Sequence, residues 1–452
     1  MKLAKSLLLG SATAFVAVAG ATAADLPSKK AAPATYVKVC DAYGAGFYTI
    51  PGTETCIKIG GRVRADYAMS AKKAYATADA ATNIASTDRE NLWGNEARGR
   101  LDLDARTPTA FGTVQAVTSL RLARTSGVLT SSTSTSAAGS AGATLEAAYI
   151  RFAGFTFGVA KDNFSFMPSV MYGAGHWSSF ANGAAQLTYT AVLGGGFSAT
   201  VAIQDKSYTT SGASNGTGSL NGWASGTGGL ANNYDKMPQI NARLDWDQSW
   251  GSLSLMGAVS QAHLTSSATT TTYDESKTVW AVGGGAKINL PMLAAGDALY
   301  LNGAYANGMT EYTVNWISFK SSDIARNVGG NVQTAYSYGA GADGVETFKS
   351  WNVAALFTHY WAPQWRHTTI ATYGKVDAPT TAKAAAWGTY AGGSADATVW
   401  NIGTQLAFVP RKDFEIGVEA LYARVKLSGS TTAAANTSQG NWTGRLRVER
   451  TF

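Results

Sequence analysis

The sequence predicts an all-β fold, a 16-stranded antiparallel transmembrane β-barrel with short turns at one end and long loops at the other. Three features predict it. The polarity of many short segments alternates every second residue, the connections between these segments alternate between short and long, and the N-terminus is typical of exported proteins.

The alternation is plainest in residues 97–106. Leu101 and Leu103 point to one face of the predicted strand, and Arg98 and Arg100 point to the other. We therefore expect the apolar face to meet lipid and the charged face to meet a water-filled interior. A segment near 145–153 fits only with a register shift that accommodates Glu146. The sixteen segments lie near 57–69, 96–106, 112–122, 145–153, 155–161, 185–193, 196–205, 238–247, 251–263, 278–290, 297–307, 350–361, 364–376, 399–409, 413–427 and 441–452.

The lengths of the connections predict how the strands are joined. Short connections carry turn residues such as Pro108, Gly154 and Pro410, and long ones are rich in Ser, Thr, Ala and Gly. Outer-membrane barrels have short periplasmic turns and long extracellular loops. Lipid offers no hydrogen-bond partners, so the sheet has to close on itself. The predicted long loops are 70–95, 123–144, 162–184, 206–237, 264–277, 308–349, 377–398 and 428–440.

The first residues have the features of a secretory signal peptide. Lys2 and Lys5 form a basic start, an apolar stretch begins at Leu7, and small residues end at Ala23. A short transmembrane anchor is the alternative, but the stretch is short and no stop-transfer charges follow it. We predict a signal peptide at 1–23, a periplasmic N-terminal segment at 24–56 and a barrel domain at 57–452.

Composition and cysteine content agree with an exported membrane protein. Charged residues are 14% of the chain, against about 25% in soluble domains, and Trp and Tyr suit a membrane–water boundary. The net charge of +7 is mild, and we expect no nucleic-acid partner. Cys40 and Cys56 are the two cysteines, and the oxidising periplasm favours a disulfide between them. Two thiols without nearby histidines do not complete a metal site.

The predicted inner face of the first three strands is rich in basic residues. We interpret them as a pore-lining patch whose field steers ions and orients polar solutes, with a weak preference for anions. The alternative is a solvated interior with no tuned role. The basic residues are Lys58, Arg62, Arg64, Arg98, Arg100, Arg106 and Arg121, and the acidic residues among them are Asp66, Asp102 and Asp104.

Three stretches resemble the general porins of alphaproteobacteria, of the rhizobial type. They are residues 36–44 (YVKVCDAYG), residues 48–61 (YTIPGTETCIKIGG) and residues 148–158 (AYIRFAGFTFG). The terminal Phe452 matches the family's C-terminal assembly signal. The resemblance implies a homotrimer of sixteen-stranded barrels in outer-membrane lipid, through which small hydrophilic solutes and ions diffuse.

The resemblance also implies that the third long loop folds inward and narrows the pore. We expect its apolar side chains to pack on the wall and to leave Lys161 and Asp162 near the passage. The alternative is a surface loop that packs on a neighbouring subunit. The apolar residues are Phe164, Phe166, Met167 and Tyr172.

No part of the sequence predicts catalysis. The histidines fall on different predicted elements without ligand spacing, and a glycine pattern at 339–344 lacks a strand-to-helix context. We therefore expect a passive channel with no enzyme activity, no cofactor and no metal. The alternatives are a solute-selective outer-membrane channel, a structural or adhesive surface barrel, and an exported soluble β-protein or outer-membrane enzyme.

Overall fold

The structure is a computed structural model. It describes residues 38–71, 92–129, 140–173, 183–205, 230–232, 237–268, 271–314, 336–338, 345–377, 396–428 and 438–452. The predicted signal peptide and much of the long loops lie outside these ranges. Within them, no helix is both long and apolar enough to cross a membrane.

Sixteen long strands form the wall, as predicted. In chain order they are β1 Cys56–Ser70, β2 Trp93–Thr109, β3 Gly112–Thr125, β4 Ser140–Phe152, β5 Phe155–Ala160, β6 Ala184–Gly194, β7 Phe197–Gln204, β8 Gln239–Gln248, β9 Gly251–Ala268, β10 Thr271–Asn289, β11 Ala298–Asn307, β12 Lys349–Ala362, β13 Trp365–Asp377, β14 Asp396–Arg411, β15 Phe414–Ser428 and β16 Ser438–Thr451.

Each strand pairs antiparallel with the next, and the last strand pairs with the first. The seam between β1 and β16 runs from the Arg62–Thr451 pair to the Ser70–Thr443 pair. This seam closes the sheet, so its backbone has no unpaired edge in the membrane. Short strands join the sheet at Tyr48–Thr49 and Leu230–Asn232, and a separate ribbon pairs Tyr336–Tyr338 with Val345–Thr347.

The two faces of the wall differ as the alternation predicts. Leu101 and Val63 are exposed on the outer face, and Arg98 and Arg100 alternate with apolar residues along β2. The predicted register shift also occurs. The pairing of β3 with β4 shifts between Ser119 and Leu120, which leaves Glu146 as the extra residue of a bulge.

The hairpin of β9 and β10 differs from the prediction. Residues 264–277 were expected to be a long loop, but both strands continue through most of them and pair from Leu264–Glu275 to Ala268–Thr271. The segment is rich in threonine, which favours strand backbone, and pairing satisfies the backbone groups of both chains. A polar Ser/Thr composition therefore does not separate a loop from a hairpin that extends beyond the membrane.

Candidate functional site: the inner wall and the inner loop

The strand register brings the predicted basic residues together on the inner face of β1–β3. Arg62 is paired in register with Arg100, Arg64 with Arg98, and Arg100 with Arg121. Residues paired across strands lie about 5 Å apart, so unscreened guanidinium groups in these positions would repel each other. The wall needs nearby negative charge to hold them.

Carboxylates provide that charge. The shortest pairs join Arg64 Nε to Glu449 at 2.5 Å, Arg98 Nη2 to Glu96 at 2.7 Å, and Arg100 Nε to Asp102 at 2.7 Å. Further pairs are Arg62–Glu449 at 3.7 Å, Arg100–Glu146 at 3.2 Å, Arg121–Glu146 at 3.3 Å and Arg106–Asp104 at 2.7 Å. The sequence interpretation did not assign Glu96, Glu146 and Glu449 to this patch. The wall is therefore a network of alternating charges, which we call the charged wall.

Residues 161–173, here called the inner loop, lie along the inner face of the barrel. Asn163 Nδ2 donates to Gln186 on β6 at 2.7 Å, and Gln405 on β14 donates to the Val170 carbonyl at 2.8 Å. The backbone N–H groups of Tyr172 and Gly173 donate to Glu419 on β15. The described part of the loop thus follows the wall from β6 to β16, while Arg62, Arg100 and Arg121 of the charged wall remain partly exposed.

Apolar side chains hold the inner loop against the wall. Phe164 is fully buried among Met256, Val279 and Tyr312, and Met167 packs with Leu356 and Ile370. Glycines in the wall make room for the loop. A Cβ atom at Gly285 would lie 2.2 Å from the Phe166 ring, and one at Gly417 would lie 2.0 Å from the Tyr172 hydroxyl. This packing agrees with the expected apolar side of the loop.

The position of Asp162 differs from the expectation that it lies near the passage. Its side chain is 2% exposed. Its carboxylate accepts hydrogen bonds from the Phe164 N–H at 3.0 Å, Gln204 Nε2 at 3.2 Å and Asn241 Nδ2 at 3.1 Å. Burial raises the pKa of the Asp162 carboxyl, and these hydrogen bonds oppose the rise only in part. Asp162 therefore anchors the start of the loop, while Lys161 is exposed.

The far end of the inner loop is anchored by buried ion pairs. Arg445 and Arg447 both donate to the Tyr172 carbonyl, and Arg447 also forms two hydrogen bonds with Asp66, at 2.6 and 2.7 Å. The Tyr172 hydroxyl bonds to Glu415, and burial together with this bond raises the pKa of the phenol. Asp66 thus belongs to this anchor as well as to the charged wall.

A second segment folds inward beside the loop, and the sequence interpretation missed it. Met309 and Tyr312 are buried against Phe164, with the rings of Tyr312 and Phe164 4.4 Å apart. The Tyr312 hydroxyl bonds to Gln239 and Asn241. Apolar residues at the start of an otherwise polar loop were the only signal in the sequence.

The predicted disulfide between Cys40 and Cys56 is confirmed, with its Cα atoms 6.0 Å apart. Phe47 is buried against this bond, and the Arg106 guanidinium lies 4.8 Å from the centre of its ring. Lys58 is exposed and lies 5.8 Å from the same ring. At the other terminus, Phe452 exchanges two backbone hydrogen bonds with Gly61 at 3.0 Å.

A family model described as a porin subfamily matches residues 25–444. The chain belongs to this subfamily. Porin Omp2b of Brucella suis biovar 1 is 33% identical over 256 residues, which cover 55% of this chain and 64% of that protein. The match thus spans less than two thirds of that relative. Porin Omp2a of Brucella melitensis biotype 1 is 33% identical over 316 residues, covering 64% of this chain and 81% of that protein.

One solved structure shows the same architecture as this porin. The outer membrane channel DcaP of Acinetobacter baumannii has a TM-score of 0.60 at 17% identity, and the match covers 88% of this chain and 97% of that one. At this identity the likeness shows the fold alone. The porin is an outer-membrane β-barrel protein, and the Brucella relatives confirm the predicted resemblance to alphaproteobacterial porins.

Proposed function

We propose that this porin forms a water-filled channel through which small hydrophilic solutes and ions diffuse passively across the outer membrane. The proposal rests on the division of the inner wall into a part that the inner loop covers and a charged part that it does not cover. The inner loop packs on the wall from β6 to β16, while the paired charges on β2 and β4 remain partly exposed inside the barrel. Charged groups in that space need water, because an unhydrated guanidinium network at membrane depth is costly even when it is paired.

The inner loop narrows this passage in our proposal. Its ends are tied down by Asp162 and by the Tyr172 carbonyl, and its middle is packed between aromatic rings and wall glycines. Such a loop is rigid enough to set the size of the opening. Lys161 and the charged wall then contact the passing solute, and Phe164, Phe166, Met167 and Tyr172 fasten the loop.

The proposal includes export and assembly. Residues 1–23 direct secretion as a cleaved signal peptide, residues 24–56 lie on the periplasmic side, and Phe452 serves as the assembly signal. The barrel forms a homotrimer in outer-membrane lipid. The resemblance to alphaproteobacterial porins supports these steps, and native mass spectrometry of the purified protein tests the oligomer.

Conductance across a planar lipid bilayer tests the function. Adding the purified protein should give discrete, ohmic steps in potassium chloride, while detergent buffer and heat-unfolded protein give none. A well-folded protein that never conducts would contradict the proposal and favour a structural or adhesive surface barrel. A solute-selective channel would instead show saturation of the current by one solute.

A further inference from the structure

A pocket of about 610 Å³ opens from the inner wall at the end of the barrel that carries the short turns. It lies between strands β2–β6, the start of the inner loop, and Tyr43 of the N-terminal segment. Pockets that bind small organic molecules commonly have volumes of about 300–1,000 Å³. Its polar lining residues are Tyr43, Arg106, Thr113, Gln115, Arg151, Thr156, Lys161, Asn163, Gln186, Thr188 and Thr190.

One row of this lining is set by strand register. Arg106 is paired with Gln115, Gln115 with Arg151, Arg151 with Thr156, and Thr156 with Thr188. The row crosses five neighbouring strands at one height, so its side chains converge on the same space. Lys161, Asn163 and Gln186 lie above it, and Asn163 bonds to both Gln186 and Thr188.

The positive charge of the pocket is only partly compensated. Arg106 is paired with Asp104. Arg151 stacks on the Tyr149 ring at 4.7 Å, and in the part of the chain that the structure describes neither Arg151 nor Lys161 forms an ion pair. This distinguishes the pocket from the charged wall, where the arginines of β1–β3 have carboxylate partners.

We propose that this pocket binds small hydroxylated organic acids, such as sugar acids, as they pass through the channel. The carboxylate lies against Arg151 and Lys161. The hydroxyl groups donate to the amide oxygens of Gln115 and Asn163, whose nitrogens already bond to Asp104 and Gln186, and they bond to the threonine hydroxyls. A neutral sugar makes only the hydrogen bonds of its hydroxyl groups. A small inorganic anion makes only the contacts with Arg151 and Lys161. The inference rests on the proposed channel function for its biological role, because a bound solute reaches the pocket through the lumen.

Binding and conduction are measured separately on the full-length protein. Isothermal titration calorimetry in detergent at low ionic strength compares galacturonate with galactose, which share a ring and differ by the carboxylate. The variants Arg151→Gln and Lys161→Gln each remove one cation that forms no ion pair among the described residues. The control Lys287→Gln removes another cation near the same end of the barrel, on the inner wall of β10 away from the pocket.

The expected result is saturable binding of galacturonate and much weaker binding of galactose. Each pocket variant should weaken galacturonate binding by about tenfold, since a hydrogen bond to a charged group is lost. Lys287→Gln should change it less than about twofold. Equal loss in all three variants would show a general effect of net charge and overturn the site, as would unsaturable binding to the unmodified protein.

Bilayer recordings separate the failure of this inference from the failure of the proposed function. Galacturonate should reduce the potassium chloride conductance of the unmodified protein over the concentration range in which it binds, and the pocket variants should shift that range upward. Conductance without galacturonate binding would contradict the proposed binding site and support the proposed channel. Galacturonate binding without any conductance would support the proposed binding site and contradict the proposed channel function.

Discussion

Adjacent residues of one strand of this porin face lipid on one side of the wall and the interior of the barrel on the other. Leu101 is 40% exposed on the outer face of β2, at the middle of a strand that runs from Trp93 to Thr109. Arg100 points inward and is paired with Asp102 and Glu146. A charge is costly only where the side chain meets hydrocarbon, so position within the strand decides the effect of a substitution.

Leu101→Arg should therefore destabilise the folded barrel by about 2–4 kcal/mol, because it places a charge at the bilayer midplane. Arg100→Gln, the neighbouring change, should assemble normally, since water can hydrate the carboxylates it leaves behind. Urea unfolding in lipid vesicles measures both. Equal stability of the two variants would contradict the face assignment for β2.

Asp66 is a different kind of residue, because it is 2% exposed and pairs with the buried Arg447 and the mostly buried Arg445. Asp66→Asn should cost about 3–5 kcal/mol, as expected when one partner of a buried ion pair is removed. It should also loosen the inner loop, since Arg447 would lose the group that orients it toward Tyr172. Thermal unfolding and conductance noise measure the two effects.

The turn residue Asp413, which pairs with the exposed Arg411 and Arg450, is the matched control. Asp413→Asn should leave unfolding unchanged, because water screens an exposed pair. If Asp66→Asn also left the unfolding free energy unchanged, the ion pairs of Asp66 with Arg445 and Arg447 would be unnecessary for stability.

Sequence alternation predicted the direction of individual side chains but not their partners. Arg98 and Arg100 face inward as expected, because the period of two is a local property of the strand. The Arg64–Glu449 pair joins residues 385 positions apart, and it depends on the closure of the barrel. Asp162 was misplaced for the same reason, since the amides that bury it come from β7 and β8.

At the scale of elements, the strands were predicted well, and two of the long loops differ from the prediction in their described parts. All sixteen predicted segments overlap an observed strand, since membrane strands must alternate in polarity to face lipid and water. The hairpin at 264–277 was missed because both faces of a strand beyond the membrane meet water, so its sequence need not alternate in polarity. The inward segment with Met309 and Tyr312 was missed because its packing partners lie on other strands.

The fit between the inner loop and the wall gives a test at this scale. Gly285→Ala places a methyl group 2.2 Å from the Phe166 ring, so the loop has to move. We expect a loss of about 1–3 kcal/mol in unfolding free energy and an altered single-channel conductance. Gly303→Ala is the control on the adjacent strand β11, where the nearest atom to the new methyl group lies at 3.5 Å.

Gly303→Ala should leave both quantities unchanged. Unaltered conductance in a destabilised Gly285→Ala variant would mean that the loop packs on the wall without setting the size of the passage.

For the whole molecule, we propose that the charged wall sets the ion preference. Its cations exceed its carboxylates by less than the sequence suggested, because Glu96, Glu146 and Glu449 also lie there. We expect a weak preference for anions that fades as salt rises, since screening acts over about 8 Å at physiological ionic strength. The reversal potential in a potassium chloride gradient measures it.

The combined change Arg62→Gln, Arg98→Gln and Arg100→Gln should shift that potential toward cations, because it leaves the partner carboxylates unpaired. A cation preference in the unmodified protein would show that the charged wall does not dominate the passage.

The path of the inner loop also links residues that lie close together in the chain to residues that lie far apart in it. Asn163 contacts Gln186, only 23 residues further along the chain, whereas the Tyr172 carbonyl meets Arg447 after 275 residues. The loop therefore joins strands near it in the chain to the strand that closes the barrel. Its anchor at Tyr172 exists only when β16 has returned beside β1, so one short segment ties the two ends of the sheet together. We expect variants that loosen the loop to weaken the β1–β16 seam as well.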